Sequence, residues 1–494
     1  MISIPLISPD SVRRTVLPNG LTVLIRRDDS APVVAIVTYV KAGYFDETDD
    51  VVGIAHVFEH MYFKGTPTRG VGEISRATKA AGGYLNAGTI YDHTSYYTVL
   101  PASGFLTGLD IQSDAYANSV VDAGELAKEL EVIIQEAKRK ADNPAAVAVE
   151  TLYELLHDRH RIRRWRIGRE AGLRRLTRDD VLRFYRAYYR PCNTILTIVG
   201  DVDPDAALCA VEERYGALPP APVERCRGPV EPEHTGFRYR ELAGDVNQLQ
   251  LVFGWRTPDA LHADTVPLEL AATVLGAGRA SRLYRAVRER KLAASVSADD
   301  YTPTELGVFT IHAEGPPESG LDAARAAWDQ LRELREAGVG RDELWRARRL
   351  IEARWLRRLE TMEGQANYLA EWEALGDWTL GDRVLESLLT TPPERVTEVA
   401  RRYLTPERAG LVIYRPTALA PLAHEAEVMR RRLDAPPRPA PLPVSRPLEV
   451  GAPGVITRAP VLEREEAGVR VYRAAQGTPI LVRRKRGAPL VHLG

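Results

Sequence analysis

Twice along this chain a charged helical segment ends at an aromatic residue and a proline and runs into a β-branched strand. That repetition limits the possible folds more than any other feature. The first copy is Asp180-Val-Leu-Arg-Phe-Tyr-Arg-Ala-Tyr-Tyr-Arg-Pro191 followed by Ile195-Leu-Thr-Ile-Val199. The second is Arg395-Val-Thr-Glu-Val-Ala-Arg-Arg-Tyr-Leu-Thr-Pro406 followed by Gly410-Leu-Val-Ile-Tyr414. Apolar positions three and four apart give each copy a helix face, and the short apolar run after the proline gives a buried strand. A chain that closes two stretches in the same way is built from two copies of one unit. At 494 residues it is long enough for two cores, and 45% hydrophobic residues are enough to fill them.

Proline-rich, unpatterned stretches between Gly216 and His234 and from Ala435 to Pro443 mark where the units end. The expected division is a first domain over 1–217, a linker over 218–235, a second domain on the same plan over 236–425, and a second linker over 426–466. Within each domain, strands alternate with long helices, which predicts an α+β fold of two homologous α/β sandwiches, each a mostly antiparallel sheet with helices packed on it. Residues 467–494 are expected to hold the first strand of a truncated third repeat. Gly477-Thr-Pro-Ile-Leu-Val-Arg-Arg-Lys-Arg-Gly-Ala-Pro-Leu-Val491 aligns without gaps on Gly20-Leu-Thr-Val-Leu-Ile-Arg-Arg-Asp-Asp-Ser-Ala-Pro-Val-Val34, with seven of fifteen positions identical. An offset of 457 residues is too long for a solenoid, so the chain reads as the N-terminal half of a longer or split protein.

Charge excludes some partners. With 66 basic and 67 acidic residues the net charge is −1, which gives no general attraction to nucleic acid or to an anionic membrane. No segment reaches the roughly 18 apolar residues of a membrane span. The N-terminus carries no secretory leader, so the expected location is the cytoplasm, with the periplasm open if the natural start lies upstream. Cys192, Cys209 and Cys226 are too few and too scattered for a disulfide framework or a thiolate site, and they are expected to pack. Any metal must then sit on nitrogen and oxygen.

His56-Val-Phe-Glu-His60 supplies such atoms. It falls in a predicted helix over 53–63, and at about 3.6 residues per turn His56, Glu59 and His60 share one face. The order H-x-x-E-H belongs to the inverzincins, with two histidines on the metal and a glutamate acting on water. Two histidines are one short of the three protein ligands that a catalytic zinc takes. A predicted helix over 123–139 offers Glu136, 76 positions after His60, and Glu129 one heptad earlier on the same face, while Glu131 is rotated away. His157 and His160 have i,i+3 spacing but belong to the basic stretch around Arg159-His-Arg-Ile-Arg-Arg-Trp-Arg166, which reads as a solvated loop rather than a second metal site.

His56-Val-Phe-Glu-His-Met-Tyr-Phe-Lys-Gly-Thr66, Gly82-Gly-Tyr-Leu-Asn-Ala-Gly-Thr89 with Asp92, Thr94 and Tyr96, and the helix bearing Glu129 and Glu136 together give a specific pattern. It resembles the pitrilysin and insulinase family of zinc metallopeptidases, whose active halves include the β subunit of the mitochondrial processing peptidase. The resemblance implies half of a clamshell chamber, Zn2+ on His56, His60 and Glu136, Glu59 as general base, and Glu129 as a supporting catalytic carboxylate. It also implies that Asn86, Ala87, Gly88 and Thr89 form an edge strand that pairs with an extended peptide by β-augmentation.

Family members further place an Arg and a Tyr, seven positions apart, on the second half of the molecule to hold the substrate carbonyl. Here Ser281 to Ser295 keeps Arg288 but has Ala294 and Ser295 where the Tyr would fall. The missing part would come from a homologous second half, fused or separate, or from a second copy of the chain. The expected function is the zinc-bearing half of a metalloendopeptidase acting on extended or unfolded peptides. The alternative is a non-catalytic structural or assembly subunit of a related heterodimer, which predicts loss of a ligand.

Overall fold

The computed structural model describes residues 5–435, 459–484 and 491. The proline-rich stretch from residue 436 onward and residues 485–490 of the repeated segment lie outside the described residues. The first sheet holds β1 (Val12–Val16), β2 (Thr22–Arg27), β3 (Val33–Val40), β4 (Tyr84–Thr89), β5 (Thr94–Pro101) and β6 (Thr194–Gly200), in the order β1-β2-β6-β3-β5-β4. The second holds β7 (Arg238–Gly244), β8 (Leu249–Thr257), β9 (Ser295–Tyr301), β10 (Gly307–Gly315) and β11 (Gly410–Pro416), in the order β7-β11-β8-β10-β9. Without β1, the two orders coincide strand for strand. Each sheet has one parallel pair, β2 with β6 and β7 with β11, and its other pairs are antiparallel. This is the α+β architecture of two like domains.

The central strand β3 reads Val-Val-Ala-Ile-Val-Thr-Tyr-Val and is buried along almost its whole length, the pattern of a strand covered on both faces. The domain's own helices cover one face. The other is covered by a helix lent by the second domain, Met362–Ala374, which packs on β3 and β6. It places Ala366, Leu369 and Ala370 in one cluster with Leu24, Ala35, Val37 and Val199. In return the helix Pro144–Leu156 of the first domain packs on β8 and β11, with Ala148, Leu152 and Leu156 among Val252, Val308 and Val412. The approach is close enough to require glycine, since a Cβ on Gly254 would lie 2.7 Å from Leu152 Cδ2. Leu152 is wholly buried, so Leu152→Ala is expected to cost about 2–5 kcal/mol. An unchanged urea midpoint would show that this helix is not held on the second sheet.

The stretch between Tyr215 and β7 is irregular, in keeping with its prolines, yet it is strapped to both domains. Arg225 holds Asp46 through two hydrogen bonds of 2.9 and 3.0 Å. Glu231 accepts the backbone N–H groups of Asp158, Arg159 and His160. The basic run beside them is not a solvated loop, as both its histidines are buried, His157 at 1% and His160 at 3% exposure. His160 Nε2 meets Glu305 Oε2 of the second domain at 2.7 Å. Arg163 and Arg164 donate to the carbonyls of His157 and Glu47, and Arg166 donates to Glu150. The cysteines, expected to pack, are exposed. Among the described residues no helix is long and apolar enough to cross a membrane.

The C-terminal boundaries also need correction. Residues 426–434, assigned above to a linker, form the helix Ala426–Asp434, because Met429 and Leu433 lie one turn apart and are fully buried in the second domain's core. Residues 461–466, assigned to the same linker, form β12 (Val461–Glu466), which pairs with β13 (Val469–Arg473), which in turn pairs with β14 (Pro479–Arg483). The repeat is therefore a hairpin rather than a single strand. β13 and β14 pair Val469 with Arg483 and Arg473 with Pro479. At the same offset, β1 and β2 pair Val12 with Arg26 and Val16 with Thr22. What differs is the surroundings: Ile480, Leu481 and Val482 are exposed at 38, 67 and 47%, whereas Val23, Leu24 and Ile25 are buried.

Candidate metal site

The helix Ile54–Met61 buries Ile54, Ala55, Val57, Phe58 and Met61 and leaves His56, Glu59 and His60 on its half-buried face. Its rotation is fixed from behind. Phe58 packs against Tyr185 and Tyr189 at ring separations of 4.7 and 4.5 Å, and Tyr62, one residue past the helix, stacks on Tyr96 at 3.7 Å. Alongside runs the helix Ala123–Ala141, opened by the Asp122 cap and held to the core by Leu126, Ile133 and Ile134. This packing brings Glu136 Oε2 to 3.8 Å from His56 Nε2 and 3.7 Å from His60 Nε2. One ligand atom from each of the three residues can be chosen within 4.8 Å of the others.

Two imidazole nitrogens and one carboxylate oxygen are a donor set suited to zinc. Burial, with the nearby charges of His60 and Lys140, pushes His56 down to about 4, so its ring is neutral and able to ligate at ordinary pH. Glu129 stands on the other side of His60, with Oε2 at 3.0 Å from its Nδ1. Lys64 Nζ meets the remaining Glu129 oxygen at 2.5 Å. Burial alone would raise the Glu129 carboxyl, but the bonds from Lys64 and His60 outweigh it and hold the group below its ordinary range. A carboxylate there fixes the ring orientation and leaves Nε2 free for a metal. Glu131 is exposed and bound to Arg174, turned away from this cluster.

Glu59 Oε2 accepts a 2.5 Å hydrogen bond from Thr89 Oγ1. Burial raises the Glu59 carboxyl, and the Thr89 bond offsets part of that rise. Thr89 ends β4, which pairs only with β5 and leaves its other edge open among the described residues. Tyr84, Asn86 and Gly88 are exposed, while Leu85 and Ala87 lean on the core. The Asn86 Oδ1 atom accepts the Ala87 N–H at 2.9 Å, and a Cβ on Gly88 would meet nothing within 4 Å. The strand thus has open space beside Gly88, and the Asn86 side chain occupies the Ala87 donor.

Arg288 is not brought to this cluster. It is exposed at the end of the π-helical turn Tyr284–Arg288, which packs on β9 and on the helix Gly320–Glu336 of the second domain. Sequence reasoning missed Lys64, although it lies one helical turn beyond His60. It also missed Glu47, whose distance from the motif gives no periodic signal. Among the described residues the second domain has no counterpart of the metal site, and the helix that follows β8, Thr265–Gly276, contains no histidine.

The model of the insulinase peptidases (family M16) matches residues 22–164, which contain the whole cluster. The model of the M16 inactive domain matches residues 175–351, which contain most of the second domain. A Mycobacterium tuberculosis protein described as an uncharacterized zinc protease is 29% identical over 412 residues, 82% of this chain and 93% of its own length. A Bacillus subtilis protein of the same description is 26% identical over 81% of this chain and 98% of its own. Among solved structures, a protease from Helicobacter pylori superposes with a TM-score of 0.78 at 23% identity, over 82% of this chain and 99% of that one. The periplasmic protease PqqL from Escherichia coli superposes with a TM-score of 0.72 at 17% identity, over 97% of this chain but 56% of its own. Two successive matches to the two domain types of one family, together with these relatives, show that the chain belongs to the insulinase peptidase family, M16.

Proposed function

We propose that this chain is the zinc-bearing half of a metalloendopeptidase that cleaves extended or unfolded peptides. The observation that carries this reading is the convergence of His56, His60 and Glu136 beside Glu59, which is itself bonded to the open edge strand. A peptide laid antiparallel or parallel along β4 would present its backbone to the face where Glu59 lies. His56, His60 and Glu136 would hold the metal, with Glu129 orienting His60. Zinc, when bound, supplies Lewis acidity that polarises the scissile carbonyl and acidifies water. Glu59 takes the proton from the attacking water and returns it to the leaving nitrogen. The name of the inactive-domain model does not weigh against this, since that match leaves out the residues of the cluster.

Cleavage of an internally quenched peptide is expected to stop on adding a strong zinc chelator and to return on adding zinc. Turnover that ignores the chelator would overturn the reading. The proposal includes a partner, either a homologous half or a second copy, which would complete the carbonyl clamp that Arg288 cannot reach. Two observations support it: the repeated hairpin with its exposed aliphatic residues, and a superposition that covers only 56% of PqqL. Full turnover by the isolated 494-residue chain as a monomer would remove the need for that partner.

A further inference from the structure

We propose that Glu47 is a positioning residue for the metal-site helix, setting where that helix begins and hence where His56 and His60 point. The inference rests on the zinc-peptidase reading above. Glu47 is 1% exposed. Its Oε2 accepts the Gly53 N–H and its Oε1 the Ala55 N–H, both at 3.0 Å. The first N–H groups of any helix lack partners within the helix, and a capping side chain usually serves them. Here the residue at the cap position is Gly53, which has no side chain to offer and stands in the left-handed region at φ 97°. Glu47 takes over that task from outside the helix, and one of its two partners is the residue immediately before His56.

The clamp is itself held. Arg164 Nη1 donates to the Glu47 carbonyl at 2.8 Å, and its Nη2 pairs with Asp49 at 2.6 Å. Asp46 accepts the Gly43 N–H at 2.9 Å and is gripped twice by Arg225. Gly53 has no room for a capping side chain of its own, since a Cβ there would lie 2.5 Å from the Ile167 carbonyl oxygen. No Lys or Arg side chain forms an ion pair with the Glu47 carboxyl among the described residues. Its two acceptor oxygens are therefore directed at the helix start. Without them, two buried N–H groups lose their acceptor and the first turn is free to unwind toward His56.

The test compares Glu47→Gln and Glu47→Ala in the full chain, reading zinc affinity by chelator competition, the visible spectrum of the cobalt-substituted protein, kcat, KM and Tm. Asp264→Asn serves as a control, because it loosens Arg395 and Arg402 in the second domain and should lower Tm alone. Glu47→Ala is expected to weaken zinc binding and lower kcat by about 10- to 100-fold with KM little changed. Glu47→Gln should fall between, since its amide keeps one acceptor and turns an N–H₂ toward the other donor. Variants that lose Tm as the control does, yet keep wild-type zinc affinity, cobalt spectrum and kcat, would overturn the proposal. If Glu47→Ala does not fold, Glu47→Gln decides by the same readouts. Wild-type protein that binds no zinc would instead bring down the peptidase reading itself, and the first measurement shows which has failed.

Discussion

Replacing Glu59 with Gln is expected to leave zinc bound and to lower kcat by about 10²- to 10⁴-fold, the contribution a general base makes. Gln keeps the shape of Glu and an oxygen that can accept the Thr89 hydroxyl, so the helix face and the edge strand should stay in place. What Gln cannot do is take a proton. Burial holds the Glu59 carboxyl above its ordinary value, which makes it a better proton acceptor than a free carboxylate. Metal content by atomic emission and kcat on a quenched peptide give the two readouts. Wild-type turnover in Glu59→Gln would sink the mechanism, whereas loss of zinc would show that Glu59 helps to hold the metal.

The second large effect separates three glutamates on one helix. Glu136→Gln is expected to weaken zinc binding by more than the roughly 100-fold upper range for residues that support ligands, because it removes the one carboxylate that, among the described residues, pairs with both histidines. Glu129→Gln should lose less, about 10- to 100-fold, since His60 remains a ligand but its ring loses the carboxylate that orients it. Glu131→Gln should change nothing, because that side chain is exposed and bound to Arg174. Zinc affinities measured by chelator competition should follow that order. A variant of Glu131 that loses metal while Glu136→Gln keeps it would mean that the helix is rotated so that Glu131, not Glu136, faces the histidines.

Much of this was legible in the sequence where the information is local. The face shared by His56, Glu59 and His60 follows from helical periodicity, because the intervening Val57 and Phe58 are apolar and must turn inward. Glu129 and Glu136 lie one heptad apart, so their common face was visible before any tertiary contact. The doubled helix-to-strand closure pointed to two like domains, and the aligned segment at Gly477 to the first strand of a third repeat, where the structure has a hairpin. The expectations that failed were about surroundings. A basic run with two histidines looked solvated, yet its arginines satisfy internal carbonyls and carboxylates. The helix at Ala426–Asp434 was hidden beside prolines, where two buried side chains are a weak signal.

The sequence by itself determined which residues share a face and which segments repeat, because backbone geometry converts spacing into direction without reference to the rest of the chain. Only the tertiary structure decided what those faces meet. The near-continuous apolar run of β3, broken only by Thr38, announces that both faces are covered, but nothing in its spacing says that Met362–Ala374 of the other domain supplies one cover, or that Pro144–Leu156 returns it. The same holds for Glu47 beneath the metal-site helix and for Thr89 against Glu59. Hydrophobic burial and hydrogen bonding are satisfied by any partner of the right shape, so periodicity records that a partner exists, and the folded chain alone selects it.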